Sequence, residues 1–457
     1  MTAQRDIPSV DFLLTQPLIA CLAEEYGHNW VVNALRETLE GVRNSVTNGG
    51  ELPDTSAITN DVNRLLIAQS SLSIRKVINA TGVLLHTNLG RSPLSSASLE
   101  SLREIEGAYT NLEFELESGK RGDRSVHAQD LLTRLLNVED ALVVNNNAGA
   151  VLLILSALAK GKQVAISRSQ MIEIGGSFRI PEVMRQSGAK LYEVGATNRT
   201  HLSDYQAALE DGAEMVLVAH PSNYKIVGFT TQPSLVELAN LAHTHQVPLV
   251  YDIGSGALLD TTKYGLSHEP TVQEASSEGA DLVCFSGDKL LGGPQSGIIV
   301  GRKSLITRLS KHPLYRALRP DKMILLALSA TLLSFLKGKV DTEIPLYRLL
   351  SRSDEELRGT AQSVVDAVGC GAVLRGKSTI GGGSLPEETL DTWLVTFSVP
   401  SPAKLLKSLR EQTPPVIARI QNDQVVCDLR TVQPEETISL IENLRKALAA
   451  VKETREN

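Results

Sequence analysis

Six short apolar runs, at residues 141–144, 164–166, 191–194, 215–219, 247–251 and 282–285, punctuate the middle of the chain. Helical stretches separate most of them, clearest at 234–243, where Leu235, Leu238 and Leu241 recur at helical spacing. Apolar runs of this length alternating with helices predict a mainly parallel sheet covered by helices on both faces. Ligands of such sheets sit at the carboxyl ends of the strands. The residues that follow each run therefore carry the chemistry.

After 141–144 come Asn145, Asn146, Asn147 and Ala148, then an apolar helix. An asparagine cap followed by small residues leaves first-turn N–H groups free for an anion, although an ordinary capped helix has the same signature. After 215–219 come His220, Pro221, Ser222 and Asn223. After 247–251 comes Asp252, a carboxylate that is costly at a buried strand end unless paired. After 282–285 come Ser286, Gly287, Asp288 and Lys289, and then a glycine-proline loop. Desolvation at such a place lowers a lysine pKa and makes its amine a nucleophile. Ser286 and the glycines bring donors to an anion. A lysine beside a phosphate site, facing a carboxylate that partners a pyridinium nitrogen, is what pyridoxal phosphate (PLP) requires. Asn146, Asn147, Ala148 and Ser286 then hold the phosphate, Asp252 the ring nitrogen, a side chain from His220 to Asn223 the phenolic oxygen, and Lys289 the aldehyde. A lysine in a surface turn is the bland alternative for each piece alone. The order anion loop, Asp, Lys from separate strands of one sheet is that of the large domain of aminotransferase-type (fold type I) PLP enzymes. Arg168 and Gln170 are candidates by position to stack on the ring.

With 457 residues, 42% hydrophobic and 21% charged, the chain has ample core for two or three domains. Four scattered cysteines give no metal-type spacing and no disulfide framework, so no metal is expected. The first residues lack a signal-peptide core, and the longest apolar run, 323–336, is too short to span a bilayer. A cytoplasmic protein without a membrane partner is expected. A net charge of −7 argues against non-specific nucleic-acid binding but not against a specific partner. Arg302, Lys303, Arg308, Lys311, Arg316, Arg319 and Lys322 face the lone acid Asp321, a run that is either a solvated face or an anion site. The glycine-rich 117–124 has the same two readings.

Three domains follow. Residues 1–70 are a helical unit, with Val31, Leu35, Leu39 and Val42 in register and a breaker at 48–53 between two helices. Residues 71–340 form the large domain. Residues 341–457 form a small α/β domain, with a strand at 392–399, a hairpin turning at 421–424 and a closing helix bearing Leu440, Leu444 and Leu448. The glycines at 381–383 are either a loop or part of the cleft.

Several stretches resemble the bacterial selenocysteine synthases (L-seryl-tRNA(Sec) selenium transferases): 83–91, 144–148, 172–181, 197–201, 222–224, 252–256 and 285–295. Pro221 departs from the family, which commonly has threonine there. The resemblance implies PLP on Lys289, and a pocket for the anionic selenium donor, selenophosphate, lined by Arg91, Asp288, Arg316 and Arg319. Paired guanidinium forks suit a small multivalent anion. It also implies conversion of seryl-tRNA(Sec) to selenocysteinyl-tRNA(Sec) through an aminoacrylyl-tRNA intermediate, an N-terminal unit that binds the tRNA, and a homo-oligomeric ring of dimers, a decamer. A lyase acting on a phosphorylated amino sugar acid, or a non-catalytic RNA-binding relative, are the rival readings. The N-terminal unit disfavours the first and the intact Asp252 and Lys289 the second.

Overall fold

The computed structural model describes residues 6–174 and 178–453, which fall into two compact units, Met1–Lys76 and Val77–Asn457. Gly175, Gly176 and Ser177, in one of the stretches that carry the resemblance, lie outside the described residues.

The first unit contains α1 (Val10–Leu14), α2 (Pro17–Tyr26), α3 (His28–Thr47) and α4 (Thr55–Ser70). The expected helical pair is α3 and α4, and two shorter helices precede it. Local chemistry starts both: Ser9 Oγ accepts from the Phe12 N–H, and Pro17 opens α2 where a missing donor costs nothing. Val31, Leu35, Leu39 and Val42 are buried against Leu13, Ile19, Ile58, Val62 and Leu66.

The second unit is built on a seven-stranded sheet. Its strands are β1 (Asp140–Val144), β2 (Gln163–Ser167), β3 (Lys190–Val194), β4 (Met215–Ala219), β5 (Leu249–Gly254), β6 (Leu282–Ser286) and β7 (Gly297–Gly301). Their order is β1-β7-β6-β5-β4-β2-β3, parallel except for β7, which runs antiparallel to both neighbours. The six predicted runs are the six parallel strands. β7 is not among the predicted runs: its three apolar residues between glycines are a weak signal, and pairing with β6 and β1 makes them a strand. Both faces are buried. Val143, Val216, Val218, Val283 and Phe285 point to one core, Val144, Leu217, Val250 and Cys284 to the other. This two-sided burial explains why most of the runs are apolar throughout, whereas the edge strand β3 is partly exposed and carries Glu193.

Helices α5 (Asn147–Leu158), α6 (Leu235–Thr244), α7 (Pro313–Leu318) and α8 (Lys322–Leu336) belong to the same unit. α8 is the long apolar run. It packs against the helices Ser96–Ile105 and Val126–Leu136 as a buried helix, and no described helix is long and apolar enough to cross a membrane.

Beyond it, β8 (Ala372–Thr379), β9 (Thr389–Phe397), β10 (Arg419–Gln421) and β11 (Gln424–Asp428) make an antiparallel sheet in the order β8-β9-β11-β10. The predicted turn joins β10 to β11, with Asn422 and Asp423 at φ of 50° and 57°, as a two-residue primed turn requires. α9 (Asp354–Val368), α10 (Pro402–Arg410) and α11 (Thr437–Glu453) cover this sheet. The early segment Ile78–Asn79 pairs in parallel with Val416–Ile417, so Ile78 and Ala80 pack into this later core.

Gly297 sits where β7 passes the start of α5, and an added Cβ would lie 2.2 Å from the Asn146 carbonyl oxygen. Gly297→Ala is therefore expected to cost roughly 2 kcal/mol of stability, the scale of overpacking in a tight interior. A lowered urea midpoint at unchanged slope is the expected readout; an unshifted midpoint refutes the tight packing.

Candidate active site

The carboxyl ends of β1, β4, β5 and β6 converge on a cavity of about 230 Å³, whose lining includes Asn147, His220, Asp252, Ser286, Asp288 and Lys289. Four separate segments thus meet at one place, each delivered by a strand that the apolar pattern built.

Asp252 arrives on β5, whose register against β6 shifts between Asp252 and Gly254, with Gly254 at φ 61°. Such a bulge bends the strand end and re-aims its side chain. The carboxylate is buried and accepts a 2.8 Å hydrogen bond from Asn147 Nδ2. Burial pushes its pKa up, while the Asn147 amide, the Lys289 charge and the buried Cys284 thiol beneath it favour the ionised form. A carboxylate this dry needs a cationic partner in front of it.

Lys289 is 4% exposed, and its Nζ donates to the Gly383 carbonyl at 3.2 Å. Burial lowers its pKa, the Arg91 charge lowers it further, and Asp252, Asp288 and Glu269 oppose that. Desolvation outweighs these acids, a shift that favours the nucleophilic free amine. The glycine run is part of the cleft. Gly381, Gly382 and Gly383 all have φ between 64° and 74°, and a Cβ on Gly382 would come 2.8 Å from Leu85.

Arg91 Nη1 donates to Asp288 Oδ2 at 2.8 Å, and Arg91 itself takes φ 60°, unusual for a residue with a side chain. Asn146 caps α5, its Oδ1 accepting from the Gly149 N–H at 2.8 Å. The N–H groups of Asn147 and Ala148, in the first turn, have no intrahelical acceptor by position and lie at the cavity wall. His220 forms another wall, with its Nδ1 3.4 Å from the Tyr251 hydroxyl and its Nε2 3.3 Å from Glu269.

These residues fit PLP. Two buried polar atoms on the cavity, Asn147 Oδ1 and Arg91 Nε, have no hydrogen-bond partner in the protein, which marks the space as built for a polar guest. An amine, a dry carboxylate and a helix N-terminus stand on separate walls, matching aldehyde, pyridine nitrogen and phosphate. Among the described residues no cluster suited to a metal ion occurs.

Lys289, Asp252, Asp288, Arg91, Asn146, Asn147, Ala148 and Ser286 come together as the sequence predicts. Asn147 does so differently, since its amide reaches back to Asp252. Asn223 does not line the cavity: it is exposed, and its amide donates to the Glu173 carbonyl at 2.9 Å. Its neighbour Ser222 takes the place instead. Arg316 and Arg319 also lie elsewhere, together on a separate cavity with Arg121, Arg124 and Glu113, where Glu113 holds the Arg319 guanidinium at 3.3 Å. Neither ring-stacking candidate faces the site. Arg168 is exposed and pairs with Glu193, and Gln170 Oε1 accepts from the Ala219 N–H. Gln295 and Ile172, given only as ends of resembling stretches, also line the cavity, and the glycine run, left open between loop and cleft, contributes the Gly383 carbonyl.

Residues 77–433 match the family described as L-seryl-tRNA selenium transferase, and residues 5–43 match the selenocysteine synthase N-terminal family. The L-seryl-tRNA(Sec) selenium transferase of Carboxydothermus hydrogenoformans is 43% identical over 443 residues, covering 94% of this chain and 95% of the relative. That of Geotalea daltonii is 45% identical over 454 residues, covering 96% and 98%. Among solved structures, a D-glucosaminate-6-phosphate ammonia-lyase superposes with a TM-score of 0.60 at 18% identity, covering 85% of this chain and 99% of that one. That likeness shows a shared fold.

Arg91→Ala removes a cation that depresses the Lys289 pKa and frees the acid Asp288, which raises it. Both changes stabilise the ammonium. The pH profile of borohydride trapping of an aldehyde at Lys289 is expected to move to higher pH; a profile that stays put or moves down refutes this electrostatic account.

Proposed function

Because the chain belongs to the L-seryl-tRNA selenium transferase family, which converts seryl-tRNA(Sec) to selenocysteinyl-tRNA(Sec), we propose that the Lys289 cavity is where the exchange of oxygen for selenium takes place, with PLP as cofactor. The observation that carries this is the pairing of a buried amine on Lys289 with a buried carboxylate on Asp252 across one cavity. When bound, PLP supplies an electron sink for the carbanion at Cα of the seryl group. The residues of the chain do the rest. The Lys289 amine would hold the aldehyde carbon. Lys289 Nζ, oriented by the Gly383 carbonyl, would serve as the base for the Cα proton. Asp252 keeps the ring nitrogen protonated, and the Asn147 amide fixes that carboxylate in position. The first turn of α5 and Ser286 take the phosphate.

Selenophosphate is the donor in this reading. Arg91, with its free Nε, is the guanidinium within the cavity that can grip it, and the Arg316 and Arg319 cavity offers a second anion site on the same chain. The same reading gives the N-terminal helical unit to tRNA binding, a ring of dimers as the assembly and the cytoplasm as the location.

Lys289→Ala is expected to abolish fixation of PLP to the chain by borohydride and to cut turnover by roughly 10²–10⁴-fold or more, the scale of a lost proton-transfer group. Retained turnover with retained cofactor colour is the result that sinks the reading.

A further inference from the structure

On the sheet, Asp252 has one partner from each neighbouring strand, Ala219 on β4 and Cys284 on β6. Tyr251 and Ile253, on either side of it in sequence, point to one core, so Asp252 and these partners share the opposite face. Ala219 offers only a methyl group there. Beyond Cys284 the next partner is Ile299 on β7, and Val250 and Leu217 complete the surroundings in hydrocarbon. The Cys284 thiol is thus the polar group that the sheet itself sets beside the Asp252 carboxylate, and both side chains are buried.

A buried cysteine ordinarily serves as a small hydrophobe. This one differs in its neighbour. Asn147 Nδ2 donates to Asp252 Oδ1 from α5, which leaves further acceptor positions, since a carboxylate has about four. The thiol is suited to fill one. Burial and the Asp252 charge push its pKa well up, so it keeps its proton at neutral pH and is a donor there. It is also a weak donor. A weak donor steadies the charge without satisfying it, and the carboxylate stays available to a cation in the cavity.

We infer that Cys284 is a positioning residue of the cofactor site: its S–H donates to the Asp252 carboxylate and extends towards acid the pH range over which that carboxylate can hold the PLP ring nitrogen. Cys284 does not line the cavity and acts only through Asp252. This rests on the reading of Lys289 and Asp252 as the residues that hold PLP. Burial raises the Asp252 pKa, and a donor to the ionised form lowers it. The charge that pairs with a pyridinium is present above that pKa and lost as pH falls through it. Removing the donor therefore moves the loss to higher pH. The other titratable or charged groups around the carboxylate are Lys289, Arg91, Asp288 and His220 on the cavity, with Glu269 and Tyr251 beside His220. All of them are the same in the Cys284 variants.

The first measurement is the S–H stretching band of Cys284 in the infrared spectrum of the full chain, isolated as the difference between the parent and Cys284→Ala. Asp252→Asn is expected to shift this band to higher frequency, as a thiol does on losing a charged acceptor; an unmoved band overturns the inference. The second is PLP affinity against pH, read by equilibrium dialysis. Cys284→Val, close in volume but without a donor, is expected to bind PLP about tenfold more weakly than the parent at the acid end and equally well at the alkaline end. Cys284→Ser, which keeps a donor, is expected to follow the parent profile. A loss that is uniform across pH, or the same in both variants, assigns Cys284 to packing alone and overturns the inference while leaving the Lys289 reading intact. A parent chain that takes up no PLP at any pH overturns the Lys289 reading and this inference with it, a result that the variants cannot mimic.

Discussion

An amine and a carboxylate buried in one cavity are an unstable arrangement that the rest of the structure exists to hold. Asp252 and Lys289 each lose hydration, so the carboxyl is pushed up and the amine down. Left alone, each drifts towards its neutral form. A guest with a cationic ring nitrogen and an aldehyde resolves both penalties together. The sheet meets this demand mechanically, since its two-sided apolar cores fix the strand ends and leave the polar groups no freedom to turn away.

Support around the pair is layered. Asn147 starts α5 and also restrains Asp252, so the anion cradle and the ring-nitrogen partner move as one body. Asp288 holds Arg91, whose left-handed backbone places its guanidinium at the wall. The glycines at 381–383 bring a carbonyl over Lys289 from a segment between the strands of the second sheet, and they tolerate no side chain against Leu85. Strain at Arg91 and crowding at Gly382 are thus concentrated around the amine.

Much of this was legible in the sequence. Short apolar runs alternating with helices read as strands of a sheet covered on both sides, and the polar residues behind them then fall along its carboxyl edge. Lys289, Asp252, Asn146 and Ser286 follow from that. Asn223 and Arg168 do not, because a loop residue has several outlets. Asn223 satisfied its amide on the Glu173 carbonyl, and Arg168 found Glu193 at the surface. Arg316 and Arg319, which the resemblance placed beside Arg91 and Asp288, line a different cavity together.

By itself, the sequence determined the periodicities: which stretches bury two faces, where helices begin and which charged groups stand at strand ends. These are local properties, set by side-chain chemistry within a few residues. Only the tertiary structure decided which distant groups meet. β7 inserts between β1 and β6, Gly383 caps Lys289 from ninety-four positions away, and Ile78 joins a core made by the last quarter of the chain. Such meetings depend on chain-wide packing, where the gain from filling a shared core outweighs any single residue's preference.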